Sequence, residues 1–259
     1  FRSDAYLVLD EDFNTLASLG ALKNLDMLVG GDKEFDSNVF YSSVYKAGQY
    51  EGSQYALPME CNPTLMFVNK TLLQKEGIKV PDNDWTWDDF YDICKTIVKD
   101  SDGDGQMDQF GCYDYTWIQA VYSNGITPFN QSGTSSNFLD EKFSQSLEFV
   151  KRLEATNRNY QVTSNDFDLG KVAFRPFTFS DYRTYMPYPW RIKKYSGFEW
   201  TCIRMPAGPS GDNRSEMSAL MAGMSSRTEK KQCAWDFVKL LTTDTDIQKL
   251  VYEDTSAAS

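Results

Sequence analysis

Tyr55-Ala56-Leu57-Pro58, then Leu65-Met66-Phe67-Val68-Asn69-Lys70, then Glu76-Gly77-Ile78 with Pro81, then Trp85-Thr86-Trp87-Asp88-Asp89-Phe90: these pieces, in this order, decide the fold of the chain. Gln54 to Pro58 reads as extended, because the residue before a proline avoids the helical region. Leu65 to Val68 is an apolar run of strand length. Asn69 to Glu76 reads as a short helix stopped by Gly77, with Pro81 beyond the stop. The next helix has the clearest start in the chain. Thr86 is placed to cap the backbone N–H groups of the first turn, and Asp89, three residues on, supplies the reciprocal carboxylate. Phe90, Ile93, Cys94 and Ile97 then form one apolar stripe.

Working outward, Ala5 to Leu9 reads as a short buried strand, followed by a helix from Asp12 with Phe13, Leu16 and Leu19 inward and Gly20 as its stop. A further amphipathic helix is expected from about residue 140 to 155, with Phe143, Leu147, Val150 and Leu153 facing the core. A last helical region turns Ala234, Phe237, Val238 and Leu241 inward and resumes with Ile247, Leu250 and Val251. Strands alternating with helices, without repeats or a flexible linker, indicate the α/β class.

Composition excludes several functions. The 259 residues carry 26 Lys and Arg against 37 Asp and Glu, a net charge of −11, and contain no histidine. Ser-His-Asp and Cys-His catalysis and imidazole-bound zinc are therefore excluded. An acidic chain meets nucleic-acid phosphate with repulsion, and no apolar run is long enough to cross a membrane. The cysteines, Cys61, Cys94, Cys112, Cys202 and Cys233, show no metal-ligand spacing. Free buried thiols are expected; one disulfide stays open, with no pair selected by the sequence.

The ordered pieces of the opening stretch resemble the extracellular solute-binding proteins of ABC importers, in the group that carries sugars and maltodextrins. In that family a strand ending in Leu-Pro enters the second lobe, a Tyr-Asn-Lys element follows, and a Thr-Trp helix start with an acid comes next. Here Val68 stands in the Tyr place before Asn69-Lys70. Other segments agree in order: Ser3 to Val8 with Gly20-Ala21-Leu22-Lys23-Asn24-Leu25, then Gly170-Lys171-Val172-Ala173-Phe174, then Met205-Pro206-Ala207-Gly208-Pro209, then Ala234-Trp235-Asp236-Phe237-Val238-Lys239-Leu240-Leu241. Together they cover nearly the whole chain.

The resemblance implies an α/β, two-lobed periplasmic-binding-protein-like fold with a hinge and an interlobe ligand cleft. Residues 1–60 and 205–259 would form a discontinuous lobe I and residues 61–204 lobe II. Family members open with a strand and helix before the stretch matched by Asp4 to Leu25, so the resemblance also implies an incomplete first lobe. The implied function is capture of a carbohydrate by hinge closure and its delivery to the permease subunits of an ABC transporter, without catalysis. A monomer outside the cytoplasm follows, in a periplasm or as a cell-surface lipoprotein.

A sugar presents apolar ring faces and a rim of hydroxyls, so its site needs Trp or Tyr rings beside carboxylates, amides or Arg. Tyr113-Asp114-Tyr115-Thr116-Trp117 has that mixture where the family places cleft aromatics, which makes Tyr113, Asp114 and Trp117 candidates. Asp181, Tyr182 and Arg183 follow the Gly170 to Phe174 strand; Glu60 sits at a crossing; Asp10 and Asp12 follow the first strand. Each has a plainer reading: Tyr113 and Trp117 as core, Asp10 and Asp12 as helix caps, Asp181 and Arg183 as a solvated pair. Tyr188 and Trp190 are weaker candidates. A carbohydrate-active enzyme with paired carboxylates and a binding protein for a peptide or polyamine stay open as alternatives.

Asp100-Ser101-Asp102-Gly103-Asp104-Gly105-Gln106-Met107-Asp108 matches the start of an EF-hand-type loop. Asp100, Asp102, Asp104 and Asp108 would offer carboxylates and Gln106 its carbonyl to a structural Ca2+ ion, with Gly105 at the sharp turn. Position twelve, where a bidentate Glu is expected, is Gly111. A plain acidic turn is the competing reading, and no cofactor is required.

Overall fold

The computed structural model of the chain describes residues 3–130, 132–181 and 197–254. In chain order its elements begin with β1 (Ala5–Leu9), α1 (Asp10–Ser18), α2 (Asp26–Gly31), α3 (Ser42–Ala47), β2 (Gln49–Tyr50) and β3 (Ser53–Gln54). β4 (Ala56–Asn69), α4 (Lys70–Lys75), α5 (Trp87–Ile97), β5 (Phe110–Cys112), α6 (Trp117–Ser123), α7 (Glu141–Glu154) and α8 (Ser164–Asp168) follow. β6 (Val172–Thr178), β7 (Trp200–Ile203), β8 (Met217–Met224), α9 (Lys231–Thr243) and α10 (Thr245–Asp254) complete the set.

Two units result. Unit one comprises Phe1–Asn62, Gln131–Ser135 and Met217–Ser259, and unit two comprises Pro63–Asn130 and Ser136–Glu216. The chain thus enters unit two inside β4 and leaves it just before β8. The return falls at residue 217 rather than at about 205, because the intervening segment is bonded onto unit two. Trp87 N–H donates to the Ala207 carbonyl at 2.9 Å, Gly208 N–H to Ser123 O at 3.0 Å, and Asn213 Nδ2 to Trp85 O at 2.7 Å.

In unit one, β1 pairs antiparallel with β8, from Ala5↔Met224 to Leu9↔Leu220, and β8 also borders β4. Among the described residues β1 lies at the edge of its sheet, and Val8 is its one buried residue, so the expectation of a buried strand is corrected. Helix α1 starts at Asp10 rather than Asp12: Asp10, Glu11 and Asp12 fill its first turn, where carboxylates meet the positive end of the helix dipole. Leu25, Leu57, Ala222, Met224, Trp235 and Val238 form one core cluster. Phe237, expected inward, is exposed, and Trp235 on the opposite side of α9 takes its place.

The Trp235 indole N–H donates to Asp32 Oδ2 at 2.8 Å and Lys239 Nζ donates to the same oxygen at 2.5 Å. Those bonds, the Lys239 one first, hold the Asp32 carboxyl at about 2. The ordinary value for an unfolded Asp is close to 4. The stability contributed by Asp32 is therefore complete above that value and is lost as pH falls through about 2. Melting temperature followed from pH 5 to pH 2 should fall less steeply in Asp32→Asn than in the unaltered protein; parallel curves would remove Asp32 from this role.

In unit two the strand order is β7-β4-β6-β5. β4 runs antiparallel to β6 (Thr64↔Thr178 to Val68↔Phe174) and to β7 (Met66↔Ile203 to Asn69↔Trp200), while β5 is parallel to β6. The two extended pieces expected around Pro58 and Leu65 are one strand. Proline's fixed φ suits extended chain, and Pro63 lies just outside the paired residues. Asn69 Oδ1 caps α4 by accepting Leu72 N–H at 2.9 Å, and Gly77 ends that helix region at φ 69°.

Thr86 and Asp89 form the expected capping box of α5, with Asp89 Oδ2 accepting from Thr86 N–H at 2.8 Å and from its hydroxyl at 2.7 Å. Phe90, Cys94 and Ile97 are fully buried beneath it. On α7 the inward residues are Phe143, Ser146, Phe149, Val150 and Leu153; Leu147, expected inward, lies at the border of that face and is exposed. All five cysteines are free thiols, so the disulfide left open does not form. Burial pushes the Cys94 and Cys112 thiols up, which leaves both unreactive.

Candidate functional site

The carboxyl end of the parallel pair β5/β6 is where an open α/β sheet offers a ligand crevice. β5 ends at Cys112, opposite Phe174, and Tyr113 N–H donates to the Phe174 carbonyl at 3.0 Å. Asp114 then adopts φ 62°, a left-handed conformation that Asp tolerates. That reversal separates its neighbours: Tyr115 is buried against Phe90 (ring centres 5.1 Å apart), whereas Tyr113 is half-buried and Asp114 exposed. Gln119 Oε1 accepts from Thr116 N–H at 2.8 Å and from its hydroxyl at 2.7 Å, which starts α6 directly after the turn.

Beside this turn lies a cavity of about 620 Å³, whose wall includes Tyr113, Asp114, Thr116, Glu154, Asn157 and Tyr160. The volume lies within the range of small-molecule sites. Its far wall follows α7, where Arg158 (φ 52°) and Asn159 (φ 67°) are consecutive left-handed residues. Tyr160 is oriented from two sides. Its ring stacks on Phe110 at 4.5 Å, and its hydroxyl donates to Asp166 Oδ1 at 3.3 Å. Asp166 is itself fixed by the capping box of α8, its Oδ2 accepting from Thr163 N–H at 2.9 Å and Thr163 Oγ1 at 2.7 Å. Lost hydration first, and the Asp166 carboxylate second, raise the Tyr160 phenol pKa and keep it a neutral hydroxyl.

Of the residues singled out in the sequence, Tyr113 and Asp114 thus share one cavity wall. Trp117, the first residue of α6, is exposed and is not part of that wall; its ring lies 5.7 Å from that of Phe143, which continues to Phe138 at 5.0 Å and Phe129 at 5.4 Å. Asp181 is exposed and has the plainer role of a local cap, its Oδ2 accepting from Thr178 Oγ1 at 2.7 Å and from Thr178 N–H at 3.3 Å. Tyr182, Arg183, Tyr188 and Trp190 lie outside the described residues. In unit one, Asp10 and Asp12 sit in the first turn of α1, which has no side-chain cap, and Glu60 is half-buried in β4. Asn157, Asn159 and Tyr160 were not anticipated, although the Asn-Arg-Asn-Tyr run at 157–160 has the polar, turn-forming character of a binding loop.

The acidic loop gathers part of its expected set. Carboxylate oxygens of Asp100, Asp102 and Asp108 lie within 4.8 Å of one another. Asp104 is not in that group; its Oδ1 accepts Gln106 N–H at 2.7 Å. Position twelve cannot supply a ligand, because Gly111 is buried in β5 and a Cβ there would lie 2.4 Å from Cys94 Cβ. Asp100 accepts from Gly103 N–H at 2.6 Å and Gly105 N–H at 2.7 Å. The Gly105 bond leads among the contacts that hold its carboxyl low.

Residues 4–247 match the family model described as bacterial extracellular solute-binding protein. The chain belongs to that family. Solved structures share its fold. An ABC substrate-binding protein of Listeria monocytogenes, solved with cycloalternan, aligns over 98% of this solute-binding protein and 64% of its own chain, at 21% identity and a TM-score of 0.71. The GacH receptor of Streptomyces glaucescens, solved unliganded and with acarbose, aligns over 98% and 64% at 21% identity and a TM-score of 0.67. M. tuberculosis UspC aligns over 93% and 64% at 16% identity and a TM-score of 0.73. The solute-binding protein therefore spans about 64% of the length of these structures. Among its described residues, no helix is long and apolar enough to cross a membrane.

Proposed function

We propose that this solute-binding protein captures a carbohydrate outside the cytoplasm and delivers it to the membrane subunits of an ABC transporter, without chemical turnover. The observation that carries this reading is the cavity beside the Tyr113–Thr116 turn, whose wall combines aromatic rings with a carboxylate, an amide and a hydroxyl. That is the mixture a pyranose needs for its faces and rim. Relatives of the same fold solved with cycloalternan and with acarbose support the same class of solute.

A thermal-shift screen of the full-length protein against mono- and oligosaccharides tests the reading, since a ligand that binds only the folded state raises the melting temperature by mass action. Hits confined to peptides or polyamines would overturn the solute class, and turnover of a chromogenic glycoside would overturn the absence of catalysis. Tyr113, half-buried in the wall of that cavity, offers a ring to a sugar face. Tyr113→Ala should weaken sugar binding roughly tenfold, or about 1.4 kcal/mol. Unchanged affinity by titration calorimetry would take Tyr113 out of the site.

A further inference from the structure

Arg175 lies on β6 one residue beyond Phe174, the last residue paired with β5, so it stands at the same carboxyl edge as Tyr113, next to the cavity wall through the Tyr113 ring and not itself among the lining residues. Its guanidinium carbon is 5.1 Å from the centre of the Tyr113 ring, 5.0 Å from that of Phe167 and 4.8 Å from that of Phe177. The side chain is half-buried, and its Nε is buried with no hydrogen-bond partner among the described residues. It belongs to none of the ion pairs among those residues. Residues 182–196, outside the description, contain no Asp or Glu in their sequence and cannot supply the missing carboxylate. Asp114, the nearest acid along the Tyr113 turn, is exposed and does not pair with it.

This is unusual in a chain with 37 acids and 26 bases. A half-buried cation without a counter-charge has lost hydration that ring faces restore only in part. The rings fix the guanidinium and leave its remaining N–H groups for an incoming acceptor. A planar fork of donors matches a carboxylate bidentately, a fit that a lysine ammonium cannot reproduce.

We propose that Arg175 is a specificity determinant of the solute site and that the solute carries a carboxylate, as a uronic-acid sugar does. This rests on the carbohydrate reading given above, and the two are separable by experiment. Uronate oligosaccharides of the galacturonate, glucuronate and mannuronate series would be titrated calorimetrically into the full-length protein at neutral pH, each against its neutral counterpart of the same linkage. A uronate should bind roughly ten- to a hundredfold more tightly than its neutral counterpart, the range of a charge-assisted bidentate contact. The preference should shrink as salt is raised. Arg175→Met should abolish it, and Arg175→Lys should retain only part.

The comparison within the unaltered protein carries the test even if a variant fails to fold. Neutral sugars binding as tightly as uronates would overturn the assignment and leave the carbohydrate reading standing. So would a uronate preference that survives in folded Arg175→Met, or a sugar phosphate that outcompetes the uronate. No binding by either series would overturn the uronate assignment, while the carbohydrate reading would fall only to the wider screen described above.

Discussion

Trp235→Ala should destabilise the protein by about 3–5 kcal/mol, the range for removing a large aromatic side chain from a core. Trp235 is 1% exposed and packs among Leu25, Leu57, Met224 and Val238, with its ring centre 5.4 Å from that of Phe35. Alanine would leave a cavity walled by strand and helix backbone that cannot collapse into it. It would also remove one of the two donors to Asp32 Oδ2, leaving Lys239 as the other. Trp235→Phe retains most of the packing and should cost well under half as much. Urea unfolding followed by far-UV circular dichroism reads both. A loss under about 1 kcal/mol for the alanine variant would contradict the core position of the ring.

The corresponding residue of unit two is Phe67. Its ring lies 4.9 Å from Phe167, 5.0 Å from Phe177 and 5.0 Å from Trp200, against which it stacks at 26°. Phe67→Ala should cost about 3–5 kcal/mol, whereas Phe67→Leu, which fills much of the volume, should cost roughly 1.5. Phe67 is also the cross-strand partner of Arg175. Phe67→Ala should therefore disturb the rings around the guanidinium, whereas Trp235→Ala, in the other unit, leaves those rings intact. Equal losses for the alanine and leucine variants would mean that ring packing is not what holds this sheet face.

What could be read from the sequence was whatever is encoded locally. The Thr86 cap with Asp89, the glycine stop at Gly77 and the apolar stripe of α5 each depend on residues within a few positions of one another, and the structure has all three. The same local rule was available at Thr178, three residues before Asp181, where it reads the carboxylate as a cap. The single strand β4 was harder to see, because Cys61-Asn62-Pro63 interrupts its apolar pattern.

The cavity wall was only half legible. Tyr113 and Asp114 announce themselves by composition, but the opposite wall comes from residues after α7 that are brought there by helix packing. Nothing in the local sequence distinguishes Arg175 from any other strand arginine. Its environment is made by Tyr113, Phe167 and Phe177, and two of these lie on other elements.

The pairing of β1 with β8 joins two segments that flank unit two in the sequence. An unstructured intervening segment of that length makes closure slow and entropically costly. Once unit two has folded, however, Thr64 N–H bonds to the Glu216 carbonyl at 3.1 Å, and the strands leading back to unit one emerge side by side. The inserted unit then serves as a clasp: its own folding replaces a long search by a short one. The β1–β8 pairing is thereby expected to follow the folding of unit two.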